Sequence, residues 1–161
     1  MGTLIVDSSA LITLAGADAL SLLALWPHGV ATVADVYRET VEAGLAKGYP
    51  DAASIGRVFE KEVICIRNPR RTGKFSGISR TDSLVLLLAE EIADARLLVN
   101  DQTLLRKAEE IGLATQYTAE FVQELYEAGK IPRRRCDRLF EDFLSNLRYS
   151  REFIEAFLLG R

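Results

Sequence analysis

Histidine is almost missing. The 161 residues hold one, His28, which excludes a histidine-rich metal site and makes a histidine-based nucleophilic triad a poor candidate. Cysteine is as scarce: Cys65 and Cys136 are too few for a disulfide framework and lack metal-ligand spacing. No apolar run approaches the ~18 residues a membrane-spanning helix needs, so no membrane partner is expected. No Lys or Arg precedes Arg38, and Asp7 and Asp18 interrupt the apolar start. A secretory signal opens with basic residues, so the chain reads as mature and cytoplasmic. Bulk positive charge is also lacking. A net charge of -3 argues against a protein that coats nucleic acid through its overall charge. Carboxylates are what remains, 23 of them against 20 Lys and Arg, and the chemistry must come from them.

At this length one domain with one sizeable core is expected, and 48% apolar with 27% charged residues is a globular balance. Thr3-Leu4-Ile5-Val6 is too short and too apolar for a helix and reads as a buried strand ending at Asp7. Ser8 and Ser9 stand as N-caps before a helix begun by Leu11, Ile12 and Leu14. A short helix over 20–26, closed by Pro27 and Gly29, leads to a brief strand at 30–33. Val36, Tyr37 and Val41 give a helical face with Arg38, Glu39 and Glu42 on its other side. A helix from Pro50-Asp51 precedes Val63-Ile64-Cys65-Ile66, read as a buried strand. A basic loop over 68–77 follows, then an apolar helix opened by Asp82 and ending near Ala93. Leu97-Leu98-Val99 is a strand ending at Asn100-Asp101, and the next helix, from Leu104 to Ile111, is stopped by Gly112. Strands alternating with helices give an α/β class with a mainly parallel sheet. Beyond Pro132, Cys136, Leu139, Phe140, Phe143, Leu144 and Leu147 recur at helical spacing, and Phe153, Ile154, Phe157 and Leu158 suggest a second helix. A single domain over 1–161 is predicted, with 131–161 a C-terminal helical extension on its core.

Two acids share one kind of place. Asp7 and Asp101 each follow a strand, and in an open parallel sheet ligands bind beyond the strands' carboxyl ends. If those strands are neighbours, the two carboxylates repel unless a proton or cation sits between them. A hard divalent cation suits such oxygen donors. Either aspartate alone is explained as well by capping the next helix. Glu39 fits a solvated helix face and Asp82 an N-cap, so spacing cannot decide.

The order Leu-Ile-Val-Asp-Ser-Ser-Ala-Leu-Ile at 4–12 with Val-Tyr-Arg-Glu-Thr at 36–40 resembles a PIN domain. Gly-Ile-Ser-Arg-Thr-Asp at 77–82, with its leucine-rich helix ending in Ala-Glu-Glu, is similar to that family's third acidic position. Leu-Leu-Val-Asn-Asp at 97–101, followed by Arg106-Lys107-Ala108 and Gly112, is similar to the fourth. Ala114-Thr115 through Thr118, and Ala128-Gly129-Lys130-Ile131, resemble the tail of PIN proteins related to VapC-type toxins, so the likeness covers most of the chain.

The resemblance implies a three-layer α/β/α fold and an endoribonuclease using Mg2+ or Mn2+. Asp7, Glu39, Asp82 and Asp101 would be its catalytic, metal-holding cluster, with Ser9 and Asn100 in support. It implies an RNA substrate and, for a toxin, an antitoxin protein; a homodimer is also expected, the apolar faces of the C-terminal helix pair being either part of the core or a dimer or partner surface. The sequence departs from the family pattern twice: Thr81-Asp82 stands where relatives often have Gly then Glu, and Asn100 where many have another aspartate. Glu42 is the alternative second acid. Arg70, Arg71 and Lys74, in the loop before Asp82, are the expected RNA contacts, and Arg133–Arg135 with Arg138 form a second basic cluster. The competing readings are an inactive PIN-fold module that only binds RNA or a protein, and a receiver- or phosphatase-type domain. The last needs a strand-end lysine, and none of the strands has one.

Overall fold

The computed structural model describes residues 2–145, and the second C-terminal helix expected around Phe153 lies outside them. Five short parallel strands form one sheet in the order β3-β2-β1-β4-β5, where β1 is Leu4–Val6, β2 Val30–Thr32, β3 Ile64–Ile66, β4 Arg96–Leu98 and β5 Ala114–Gln116. Leu4, Ile5 and Val6 on β1 and Leu97 and Leu98 on β4 are wholly buried, as apolar strands covered on both faces must be.

Chain order explains the layers. From β1 the chain steps outward to β2 and β3, then returns past β1 to β4 and β5. Parallel crossovers are right-handed, so reversing direction moves the connecting helices to the sheet's other face. On one face lie α1 (Ser8–Gly16), α2 (Ala34–Tyr37), a wide turn at Arg38–Glu42, α3 (Ala43–Ala46) and α4 (Ala52–Glu60). On the other lie α5 (Arg80–Glu91), against β1, and α6 (Gln102–Glu110), against β5. α7 (Thr118–Glu127) returns to α1, and α8 (Arg133–Ser145) packs on α7. This is a three-layer α/β/α fold. The direction changes between β1 and β4, the place where such sheets bind ligands.

Four readings of the sequence change. Val63–Ile66 looked like a buried strand, but β3 is an edge strand: only Ile64 is buried, and Cys65 and Ile66 face solvent. The element at Ala114–Gln116 carries no apolar run and was not foreseen as a strand; Gly112, at φ +80, turns the chain from α6 into it. Asp82 does not open α5, because Ser79 caps it by accepting the Asp82 N–H at 3.1 Å. Asp7, rather than Ser8 or Ser9, caps α1. α8 buries Cys136, Leu139, Phe140 and Phe143 in the common core. Among the described residues no helix is long and apolar enough to cross a membrane.

Candidate active site

Asp7 ends β1 in extended backbone, and its Oδ1 accepts the Ala10 N–H at 2.8 Å. Beside it the Ser9 hydroxyl shares its one proton between Oδ1 at 2.9 Å and Oδ2 at 2.7 Å. That hydroxyl in turn accepts the Asn100 backbone N–H at 3.1 Å. One serine thus ties the end of β1 to the chain leaving β4. Asp101 lies just beyond β4, whose register pairs Val6 with Leu98. It repeats the Asp7 arrangement, capping α6 by accepting the Leu104 N–H at 2.9 Å. Capping and clustering are therefore not alternatives here: both aspartates cap helices, and the adjacent strands bring the caps together.

Glu39 arrives from the wide turn at Arg38–Glu42. There the Thr40 hydroxyl takes the Val36 carbonyl at 2.7 Å, and the helix opens to a π register. The turned-out Glu39 accepts Thr81 Oγ1 at 2.6 Å on one carboxylate oxygen and Ser8 Oγ at 3.1 Å on the other. Thr81, a departure from the family pattern, is thus a residue that holds Glu39 in place. Glu42 is exposed on the same turn. Asp82 is the third residue of α5, half-buried beside Thr81.

Asp7 and Asp82 register the charge of the other acids. Burial above all, with the charges of Asp82 and Asp101 adding to it, lifts the Asp7 carboxyl to about 7, against the lowering pull of Ser9 and Ala10. Burial first, then the charges of Asp101 and Glu39, push Asp82 up as well, although Ser79 pulls it down. Each added negative charge makes the next ionisation harder, so the site favours a proton or a cation.

Among the described residues no three Asp, Glu, His or Cys side chains form a ready-made metal cage. The donors are all oxygens, which suits Mg2+ or Mn2+ taken through one or two carboxylates while the ion keeps its waters. His28 lies elsewhere, edge-on to Trp26.

Asn100 does more than its place in the sequence suggests. Its side chain donates to Thr13 Oγ1 at 3.2 Å and accepts from Thr118 Oγ1 at 3.2 Å, joining α1 and α7 beneath the acids. Sequence reasoning missed both threonines; the available signal was a Thr within the apolar stripe of α1. It also missed Arg80, an exposed cation in the first turn of α5 beside Asp82. The expected RNA-binding loop sits differently from its sequence position. The backbone N–H groups of Arg70 and Arg71 donate to Glu91 at 2.8–3.0 Å, and the Arg71 guanidinium pairs with Glu90 at 2.8 Å. Those glutamates lie about 13 Å down α5 from Asp82 at a helix's 1.5 Å per residue. Only from Phe75, whose N–H donates to Ser83 Oγ, does the loop come near the acids, and Lys74 is its nearest expected cation.

The family model of DUF3368, described as a PIN domain, matches residues 3–159. The chain belongs to the PIN-domain family. PIN domains are a nuclease fold family, and the acids gather at this PIN domain's topological switch point. A solved PilT N-terminus domain protein, SSO1118 from the hyperthermophilic archaeon Sulfolobus solfataricus P2, shares the fold: 16% identity, TM-score 0.53, covering 76% of this chain and 92% of that one. No curated protein matches the chain.

The hydroxyl of Ser9 is a test of how this PIN domain is built. Ser9→Ala removes a donor from Asp7 and an acceptor from Asn100. The Asp7 carboxyl should titrate higher still in a carboxyl NMR titration, and stability should fall by about 1–2 kcal/mol. An unmoved Asp7 titration would show that Ser9 does not tune it.

Proposed function

We propose that this PIN domain is a metal-dependent endoribonuclease that hydrolyses RNA phosphodiester bonds with Asp7, Glu39, Asp82 and Asp101. The reading rests on one observation above the rest: carboxylates from four separate segments meet at one place, where the charges of Asp101, Asp82 and Glu39 add to burial in raising the proton affinity of Asp7 and Asp82. A bound Mg2+ or Mn2+ ion would activate a water and stabilise negative charge on the phosphate oxygens. Asp7 and Asp101, at adjacent strand ends, and Asp82, at the start of α5, are the proposed ligands. Glu39, fixed between Ser8 and Thr81, is the proposed fourth and would take the proton of the attacking water. Ser9 and Asn100 keep the two strand ends in register, and Lys74 is the proposed phosphate contact from the loop, with Arg70 and Arg71 farther down the strand's path.

The test is cleavage of labelled RNA with and without Mn2+ or Mg2+. Wild type should cut only with the ion, and Asp82→Asn should lose at least about a hundredfold, a barrier of about 3 kcal/mol. A wild type that binds RNA and cuts none with either ion would instead be the inactive binding module. We also propose a toxin role, a cytoplasmic homodimer neutralised by an antitoxin. Growth arrest on expression, relieved by the product of an adjoining gene, is its measurement.

A further inference from the structure

The arginines of α8 have no place in that reading. Arg134, Arg135 and Arg138 line a cavity of about 540 Å³ with Ala17, Asp18 and Asp142, where the end of α1 meets α8. Among the described residues none of the three guanidiniums has an ion-pair partner; Arg135 reaches only the Ser21 hydroxyl, at 3.4 Å. Arg133, one residue earlier, pairs with Asp137 at 3.8 Å, so pairing is possible on this helix. Among the described residues that line it, three arginines against two aspartates leave the wall at +1, in a chain whose net charge is -3. All three lie in the first two turns of α8, where their charge adds to the positive end of the helix dipole. A bound anion relieves both repulsions.

We infer that this groove is a second RNA-binding site, which takes the phosphates of a single strand whose scissile bond lies at the acidic cluster. The inference rests on the ribonuclease reading. α1 connects the two places: Asp7 caps its first turn and Ala17 its last, so they lie about 15 Å apart at 1.5 Å per residue. A stacked strand rises 3.4 Å per nucleotide, so about five nucleotides span the distance. Guanidinium forks match phosphate oxygens two at a time, and a nucleic acid carries one such charge at every residue. The 67–74 loop is a weaker rival, because Glu90 and Glu91 already occupy Arg71 and its backbone.

The experiment measures binding of a fluorescent 20-nucleotide RNA to the full chain in chelator, over a range of salt, with cleavage in Mn2+ as a second readout. The variant Arg134→Ala/Arg138→Ala should weaken binding about tenfold or more near 0.1 M salt. Its log–log salt slope should flatten by about 1.4, since each contact to a single strand contributes about 0.7. Arg134→Lys/Arg138→Lys, which keeps the charge, should keep the slope, and Arg138→Glu alone should weaken binding if the double variant does not fold. Cleavage of a trinucleotide, too short to reach the groove, should be unchanged in all variants. If wild type cuts RNA but the alanine variant keeps the full slope, the groove is overturned and the ribonuclease reading stands. If wild type neither binds nor cuts RNA, both fall. If deca-glutamate binds as tightly as RNA and loses that binding in the alanine variant, the groove serves an acidic protein and the inference is overturned.

Discussion

Asp7→Asn is expected to do two opposite things: remove at least about a hundredfold of RNA cleavage, and make the metal-free protein more stable above pH 7. The asparagine side-chain oxygen can still accept the Ala10 N–H, so α1 keeps its cap. What disappears is a buried negative charge. The folded carboxyl titrates at about 7, far above its unfolded value of about 3.9. Below the unfolded value both states are protonated and the group costs nothing. Between the two values the folded state holds more protons, so wild-type stability falls as pH rises, and above about 7 the cost is complete. Three pKa units correspond to roughly 4 kcal/mol, an upper figure for a coupled site. Melting curves of both proteins in chelator from pH 4 to 9 should therefore converge at the acid end and separate with the mutant higher. Added Mg2+ should raise the wild type more than the mutant by mass action. A mutant that melts lower at every pH would mean the carboxylate is a cap and nothing else.

Phe140→Ala should cost about 3–5 kcal/mol of stability. Its ring has no solvent exposure, sits 6.5 Å from that of Phe143 and belongs to the same core as the strands. Large-to-small changes at such sites lose the transferred surface and leave a cavity as well. Chemical denaturation should show one transition at lower denaturant. A separate early transition with the main one unmoved would make α8 an appendage rather than part of the domain's core.

The sequence carried the centre of this fold better than its margins. Leu4-Ile5-Val6 and Leu97-Leu98-Val99 were readable because strands covered on both faces are apolar, and each run is followed within two residues by an aspartate. The same logic misjudged Ile64–Ile66, which is apolar yet lies at the sheet's edge. It passed over Ala114–Gln116, an edge strand that needs little apolar surface. Strand order is a long-range property, so periodicity could place Asp7 and Asp101 at strand ends but not show that those strands are neighbours. Glu39 against Glu42 was beyond spacing arguments, because the π register shifts which residues share a face. Thr81 and Asn100 could be seen only as departures from a pattern until their partners, Glu39 and the threonines of α1 and α7, were in view.

Central β1 has a consequence for how the protein is made. β1 is flanked by β2, the next strand synthesised, on one side and by β4, synthesised far later, on the other. Asp7 and Glu39 emerge well before Asp101, which follows Asp7 by about ninety residues, roughly 5–20 s at ordinary elongation rates. Until then the open flank of β1 faces solvent and the acids stay apart. In a nascent chain of this design the acidic cluster is therefore incomplete until β4 docks beside β1.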